Sequence, residues 1–185
     1  MWQVCSWRPC RACSAGAEYI RQDLIITGTV MDTHKVPLQP GVTCRVRALG
    51  GDSRIAERLA QMGILPGMEI TVNRVGPLGN PLELSVPGGQ ALALRAAEAR
   101  ALDCELVSLP LRLVSPGGQH WRILALRGGQ RFQERMRSLG LQPESTIQVT
   151  GSRPPELRLA DGTLIRLGTG EAAQIIVEPV SAAHE

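Results

Sequence analysis

The sequence predicts a mainly β protein of two tandem small antiparallel β-barrels, each carrying one short helix. Three observations lead there. First, ten of the 25 positions in Ala48–Val72 recur in Ala125–Val149: Ala48, Leu49, Gly51, Arg54, Glu57, Arg58, Gly63, Pro66, Ile70 and Val72 each have an identical residue 77 positions on, as Gly63 has Gly140. Two unrelated amphipathic helices would share an apolar period, but not the arginines, the terminal glycine and the proline as well, so the chain reads as a duplication. Second, each copy is surrounded by short alternating segments joined by Gly/Pro turns, five to a unit. That pattern suits a small barrel, whose closure protects the edges of so short a sheet. Third, the 185 residues are 43% hydrophobic and 20% charged, an ordinary globular composition, and a unit of about 70 residues has room for one small core.

Residues 1–35 belong to neither unit. Cys5, Cys10 and Cys13 are spaced C-x4-C-x2-C, with Cys44 further on. The spacing formally suits an iron–sulfur cluster, but no ferredoxin-sized domain surrounds it. A plainer alternative is an N-terminal arm without a fold of its own, or a segment upstream of a true start at Met31. A three-thiolate zinc site completed by His34 would need wider ligand spacing than structural zinc normally shows.

The first unit, residues 36–107, opens with Val42–Leu49, whose alternation reads as a half-buried strand. Asp52 or Ser53 can then cap a helix start, which places Ile55, Leu59 and Met62 on one apolar face. Gly63 sits where a left-handed residue would end that helix, and Pro66-Gly67 has the residue order of a type II turn. Met68–Val75 alternates again and leads into Gly76-Pro77-Leu78-Gly79-Asn80-Pro81, a rigid turn. Leu82–Val86 and Ala91–Arg95 flank Pro87-Gly88-Gly89, Ala96–Glu98 is a tight corner, and Ala101–Val107 is the closing strand. A short link, Ser108–Leu113, joins this to the second unit, residues 110–181. There Trp121–Leu126 is the first strand, and Phe132, Met136 and Leu139 repeat the apolar helix face. Ile147–Thr150, Leu157–Ala160, Thr163–Leu167 and Ile175–Pro179 follow, with a hairpin turn at Asp161-Gly162. The loop Gly151–Pro155 is shorter than Gly76–Pro81, so any function of that loop is expected of the first unit only.

The net charge of +3 has both signs interspersed, and aromatic residues make up only 3%. Neither a basic nucleic-acid footprint nor a base-stacking platform is indicated, and no nucleic-acid partner is expected. The longest apolar runs, such as Leu24–Ile26 and Ile175–Val177, fall far short of the roughly 20 residues of a membrane span. Direct membrane insertion is therefore not expected. Arg8 and Arg11 have no apolar run behind them, which does not suit a secretory signal and leaves the cytoplasm as the default location.

No nucleophile–base–orienter set, interpretable carboxylate pair or phosphate-binding glycine loop emerges, and an enzyme is not expected. For a metal, the candidates within the units are Cys44, Cys104 and His120, one per element and unclustered. Cys44 and Cys104 lie in the first and last strands of one barrel and can be neighbours, but they read more simply as small buried thiols. His120 reads more simply as a solvated strand edge. No tightly bound cofactor is expected, and a ferrous or other transition metal ion is the one candidate. Arg54 and Arg58, repeated as Arg131 and Arg135, line the helix face away from Ile55 and Leu59. They form either a solvated face, with local ion pairs of a few tenths of a kcal/mol, or a basic surface for an acidic partner. Pro77–Pro81 is either a tight connection or a preorganised loop, with Leu78 at its tip to anchor a partner. The candidate partner-binding residues are accordingly Pro77, Leu78, Gly79, Asn80, Pro81, Arg54 and Arg58.

Residues Leu38–Val107, with A-L-G-G at 48–51, R-L-A-Q-M-G-I-L-P-G at 58–67, P-L-G-N-P at 77–81 and A-L-A-L-R at 91–95, closely resemble the FeoA domain of bacterial ferrous iron uptake. The second unit is similar through R-S-L-G-L-Q-P at 137–143 and departs from the pattern at the P-L-G-x-P loop. The resemblance implies a Src-homology-3-like barrel with an inserted helix, as in the C-terminal domain of iron-dependent repressors. It also implies an accessory role beside the FeoB ferrous iron transporter, modulating that transporter by contact with its cytosolic GTP-binding domain. The position of Asn80 is usually Asp in the family, so no carboxylate role carries over to it. An alternative is a transition-metal-sensing regulatory module related to the repressor barrels, although no helix-turn-helix reads ahead of the units. A proline-peptide adaptor would need an aromatic-lined groove, and residues 37–107 contain no Phe, Trp or Tyr.

Overall fold

The structure, a computed structural model, describes residues 36–180 apart from the side chain of Leu78. The expectations at Cys5, Cys10, Cys13, Met31 and His34 lie outside the described residues.

One layout runs twice along the chain. The first copy is β1 (Thr43–Leu49), α1 (Ser53–Gln61), β2 (Glu69–Val75), β3 (Leu82–Ser85), β4 (Ala91–Leu94), α2 (Ala96–Arg100) and β5 (Leu102–Pro110). The second is β6 (His120–Leu126), α3 (Gln130–Ser138), β7 (Thr146–Ser152), β8 (Pro155–Leu159), β9 (Leu164–Arg166), α4 (Thr169–Gln174) and β10 (Ile175–Pro179). All pairings are antiparallel, and the strands follow the order β4-β3-β2-β1-β5-β10-β6-β7-β8-β9. The fold is the expected one, mainly β with two tandem Src-homology-3-like units. Hydrogen-bonded closure is the difference: β4 and β9 are the ends of one ten-stranded sheet. Between β4 and β5 the gap is spanned by α2, which packs on both strands.

The helix α1 forms where the sequence places it, for the reasons the sequence supplies. The Asp52 side chain accepts the Ile55 N–H at 2.8 Å, filling one of the orphan donors of the first turn. Leu59 is fully buried while Ile55 and Met62 pack at its sides. At the other end Gly63 has φ +86°; its N–H reaches Ala60 O, and that of Ile64 reaches Leu59 O. These two bonds are the Schellman arrangement that satisfies the last carbonyls. In the second copy the same pair of bonds runs from Gly140 to Arg137 O and from Leu141 to Met136 O.

Two features depart from the expected elements. Ala96–Arg100 is a short helix rather than a corner, because a run of strong helix formers is closed at its start by Glu98, whose carboxylate accepts the Arg95 N–H at 2.7 Å. The Ser108–Leu113 link is also more than a connection. β5 continues to Pro110 and leaves β1 to pair with β10, Leu109 opposite Val177 and Pro110 opposite Ile176. Leu109 and Leu111 are buried in the second unit's core, where they are joined by Val42 from the first. Each unit otherwise keeps its own core, around Leu59, Ile64, Ile70 and Leu84 in one and Met136, Leu141, Ile147 and Leu157 in the other.

Candidate functional site

The clearest difference between the copies is the loop after the second strand. In the first unit Val75 and Leu82 are paired and six residues lie between them, whereas in the second Ser152 pairs directly with Pro155 across two residues. The larger loop is tightly built. Pro77–Gly79 is a single 3-10 turn, and the Gly76 N–H reaches back to Pro81 O at 2.8 Å. A Cβ on Gly76 would lie 2.4 Å from Asn80 O, so only glycine permits this closure. Pro77, Gly79, Asn80 and Pro81 are exposed; the side chain of Leu78 lies outside the described residues. Beside the loop is a groove of about 720 Å³ lined by Leu38, Gly79, Ala96, Ala99, Leu102 and Cys104, among others. Asp103 also lines it, and its Oδ1 is buried with no hydrogen-bond partner among the described residues. A buried carboxylate oxygen without a donor is costly.

The repeated arginines separate into two kinds. Arg54 and its counterpart Arg131 are exposed, with no ion-pair partner among the described residues. Arg58 instead meets the buried Glu98 at 3.0 Å, and Arg135 meets Glu171 at 3.1 Å. In each case one carboxylate oxygen takes the arginine and the other takes the N–H that opens the following helix, Arg95 at 2.7 Å and Gly168 at 2.8 Å. Each glutamate therefore clasps α1 to α2, or α3 to α4. This clasp was hidden in the sequence because Glu171 follows Glu98 by 73 positions, not 77; the four missing residues are those removed from the shorter loop (6 − 2 = 4). A repeat search that allowed a gap at that loop would have found it.

The three metal candidates do not converge. Cys44 and Cys104 both lie within the first core. The neighbouring Cys104 thiol, together with burial, raises the Cys44 thiol far above its ordinary range, which opposes a metal-binding thiolate at Cys44. The equivalent positions in the second unit, shifted by 77 and 73, are Trp121 and Val177, both buried in the core. The thiols thus occupy packing positions. His120 starts β6 on the exposed face of the other unit, and among the described residues no three His, Cys, Asp or Glu side chains come together as a ligand set. Among the same residues no helix is long and apolar enough to cross a membrane.

Comparison with known proteins agrees with this internal repeat. The FeoA domain family model matches twice, over residues 37–106 and 110–179. Among solved structures the chain is similar to iron(II) transport protein A of Clostridium thermocellum, at 38% identity over 79% of this chain and 87% of that one, with a TM-score of 0.48. It is similar to the FeoA protein of Chlorobium tepidum at 26% identity, covering 44% of this chain and 71% of that one, with a TM-score of 0.35. A likeness to the IdeR of T. acidophilum stands at 18% identity, over 70% of this chain and 51% of that one, with a TM-score of 0.37. A search of curated proteins finds no match. With both copies matched by the model, the chain belongs to the FeoA domain family as a tandem pair of its domains.

Proposed function

We propose that the chain is a non-enzymatic accessory module of ferrous iron transport, acting by protein contact on the cytosolic GTP-binding domain of the FeoB transporter. The observation that carries this reading is the Gly76–Pro81 loop, retained in one copy, pre-shaped by the Gly76–Pro81 bond and set beside the groove that contains Asp103. A rigid exposed loop loses little conformational freedom on binding. Arg54 adds an exposed cation on α1 for an acidic partner surface, whereas Arg58 acts through the clasp with Glu98. Iron itself is cargo of the transporter in this reading and is not held by Cys44, Cys104 or His120. The metal-sensing alternative would need those three residues in one ligand set.

Calorimetric titration of the full chain against the cytosolic GTP-binding domain of FeoB from the same organism tests the proposal, with ferrous iron titrated separately under anaerobic conditions. The expected result is saturable binding to the domain, weakened at least about tenfold by Leu78→Asp or Gly76→Val, a loss of about 1.4 kcal/mol or more. No binding by the folded chain would overturn it. Stoichiometric iron uptake without partner binding would favour the sensing alternative.

A further inference from the structure

The outer face of the second unit carries a row of side chains that the first unit lacks. His120 is paired with Gln148, Gln148 with Arg158 and Arg158 with Leu164, while the Val180 N–H bonds to His120 O at the other end. Val180, just past β10, and four neighbouring strand positions thus read Val-His-Gln-Arg-Leu across the unit. Leu164 is 61% exposed and Val180 40%, two of the few large apolar side chains in solvent among the described residues. His120, Thr146, Gln148 and Arg158 line a shallow groove there. Among the described residues, none of the His120, Gln148 and Arg158 side chains has a hydrogen-bond or ion-pair partner. Their neighbours are already committed, Arg122 to Glu178 and Glu144, and Arg166 to Glu156.

The same ladder positions in the first unit are Thr43, Thr71, Ser85 and Ala91. There the Thr43 and Thr71 hydroxyls satisfy each other at 3.0 Å, and Ser85 accepts from Asn73 at 2.6 Å. Three duplicated positions that are small and paired in one copy, Thr43, Thr71 and Ser85, are in the other the longer, donor-bearing His120, Gln148 and Arg158, without a partner among the described residues. We propose that this row is a docking surface for an extended acidic segment of a partner protein, with two carboxylates shared among His120, Gln148 and Arg158 and apolar side chains on Val180 and Leu164. Strands lie about 4.8 Å apart, so the row spans roughly 19 Å. An extended segment advances about 3.3 Å per residue and shows alternate side chains on one face, so seven residues patterned Leu-x-Glu-x-Glu-x-Leu match the row in length and character. The surface lies in the other unit from the Gly76–Pro81 loop and does not depend on the transporter reading.

The probe is the peptide acetyl-Leu-Ser-Glu-Ser-Glu-Ser-Leu-amide, titrated into the ¹⁵N-labelled full chain and followed by backbone and side-chain shifts, beside the same peptide with Gln for both Glu. The expected result is saturable shifts centred on His120, Gln148 and Arg158. Affinity should fall at least about fivefold when salt rises from about 0.05 to about 0.3 M, since exposed charges are screened over a shorter length. It should fall at least as far in Arg158→Gln and Arg158→Glu and stay unchanged in Arg47→Gln, an exposed arginine of the first unit. Absence of saturable shifts from the Glu peptide, equal binding of the Gln peptide, or shifts centred elsewhere would each overturn the proposal.

Discussion

At α1 and α3 the two units are close to interchangeable, whereas at the β2–β3 and β7–β8 connections and on the outer sheet face they are not. The shared positions are those with internal work: Gly63 and Gly140 end their helices in the left-handed region, and Arg58 and Arg135 clasp their glutamates. The diverged positions face solvent, where a duplicate can change without disturbing a core. Retention at these positions therefore marks architecture in this chain, and divergence at the two connections and the outer sheet face marks where the proposed contacts of the two copies differ. Arg54 and Arg131, like Glu57 and Glu134, are exceptions, retained yet exposed.

The comparison breaks most severely if the joint between the units is removed. Leu111 is 1% exposed and packs in the second core at the end of the shared strand. Leu111→Ala should cost about 2–5 kcal/mol. Urea unfolding with residue-resolved hydrogen exchange should show weakened protection in β10 and in β5. Loss confined to the second unit would mean that the joint is passive.

The clasps sharpen the comparison at a smaller scale. Glu98 has a side chain only 6% exposed, while that of Glu171 is 23% exposed. Arg58→Ala strands the more deeply buried carboxylate and should cost about 1–2 kcal/mol, a figure already discounted because Arg58 is half in solvent; Arg135→Ala should cost less than about 1. Thermal unfolding of the two variants checks the order, and equal effects would remove the burial argument.

Smaller again are the turns and caps. Gly67 has φ +89°, and its counterpart Glu144 holds φ +70° with a side chain attached. Gly67→Glu should therefore destabilise by about 1 kcal/mol, while Glu144→Gly should stay within about 0.5, because relief of strain and added unfolded-state entropy oppose one another. Asp52→Ala should lose about 1 kcal/mol of helix capping. The reverse change in the other copy, Gly129→Asp, should gain a few tenths, since Gly129 caps α3 without a side chain. Differential calorimetry of the four variants reads these signs directly.

How much of this was legible follows the range of each interaction. Asp52, Gly63 and Pro66-Gly67 act within a few residues of themselves, so their roles stand in the sequence as they stand in the structure. The Arg58–Glu98 clasp joins residues 40 positions apart (98 − 58 = 40), beyond the reach of helical periodicity, and the arginine alone looked like part of a solvated face. Pro110 resembles punctuation, yet it ends a strand where it still lies opposite Ile176, which concealed the shared sheet. The thiols Cys44 and Cys104 were placed together by strand order, but only their Trp121 and Val177 counterparts reveal why they are buried. The row His120, Gln148, Arg158 was invisible because cross-strand register is not written in any local pattern.

The most direct measurement removes the surface that distinguishes the copies while leaving their common frame. Gly76–Pro81 is replaced by the two residues that connect β7 to β8, Arg153 and Pro154, and the full-length variant is titrated calorimetrically against the GTP-binding domain of FeoB. Unchanged thermal unfolding with binding weakened at least about tenfold is the predicted result. Wild-type affinity in a correctly folded variant would contradict it, and would place the contact elsewhere on the chain.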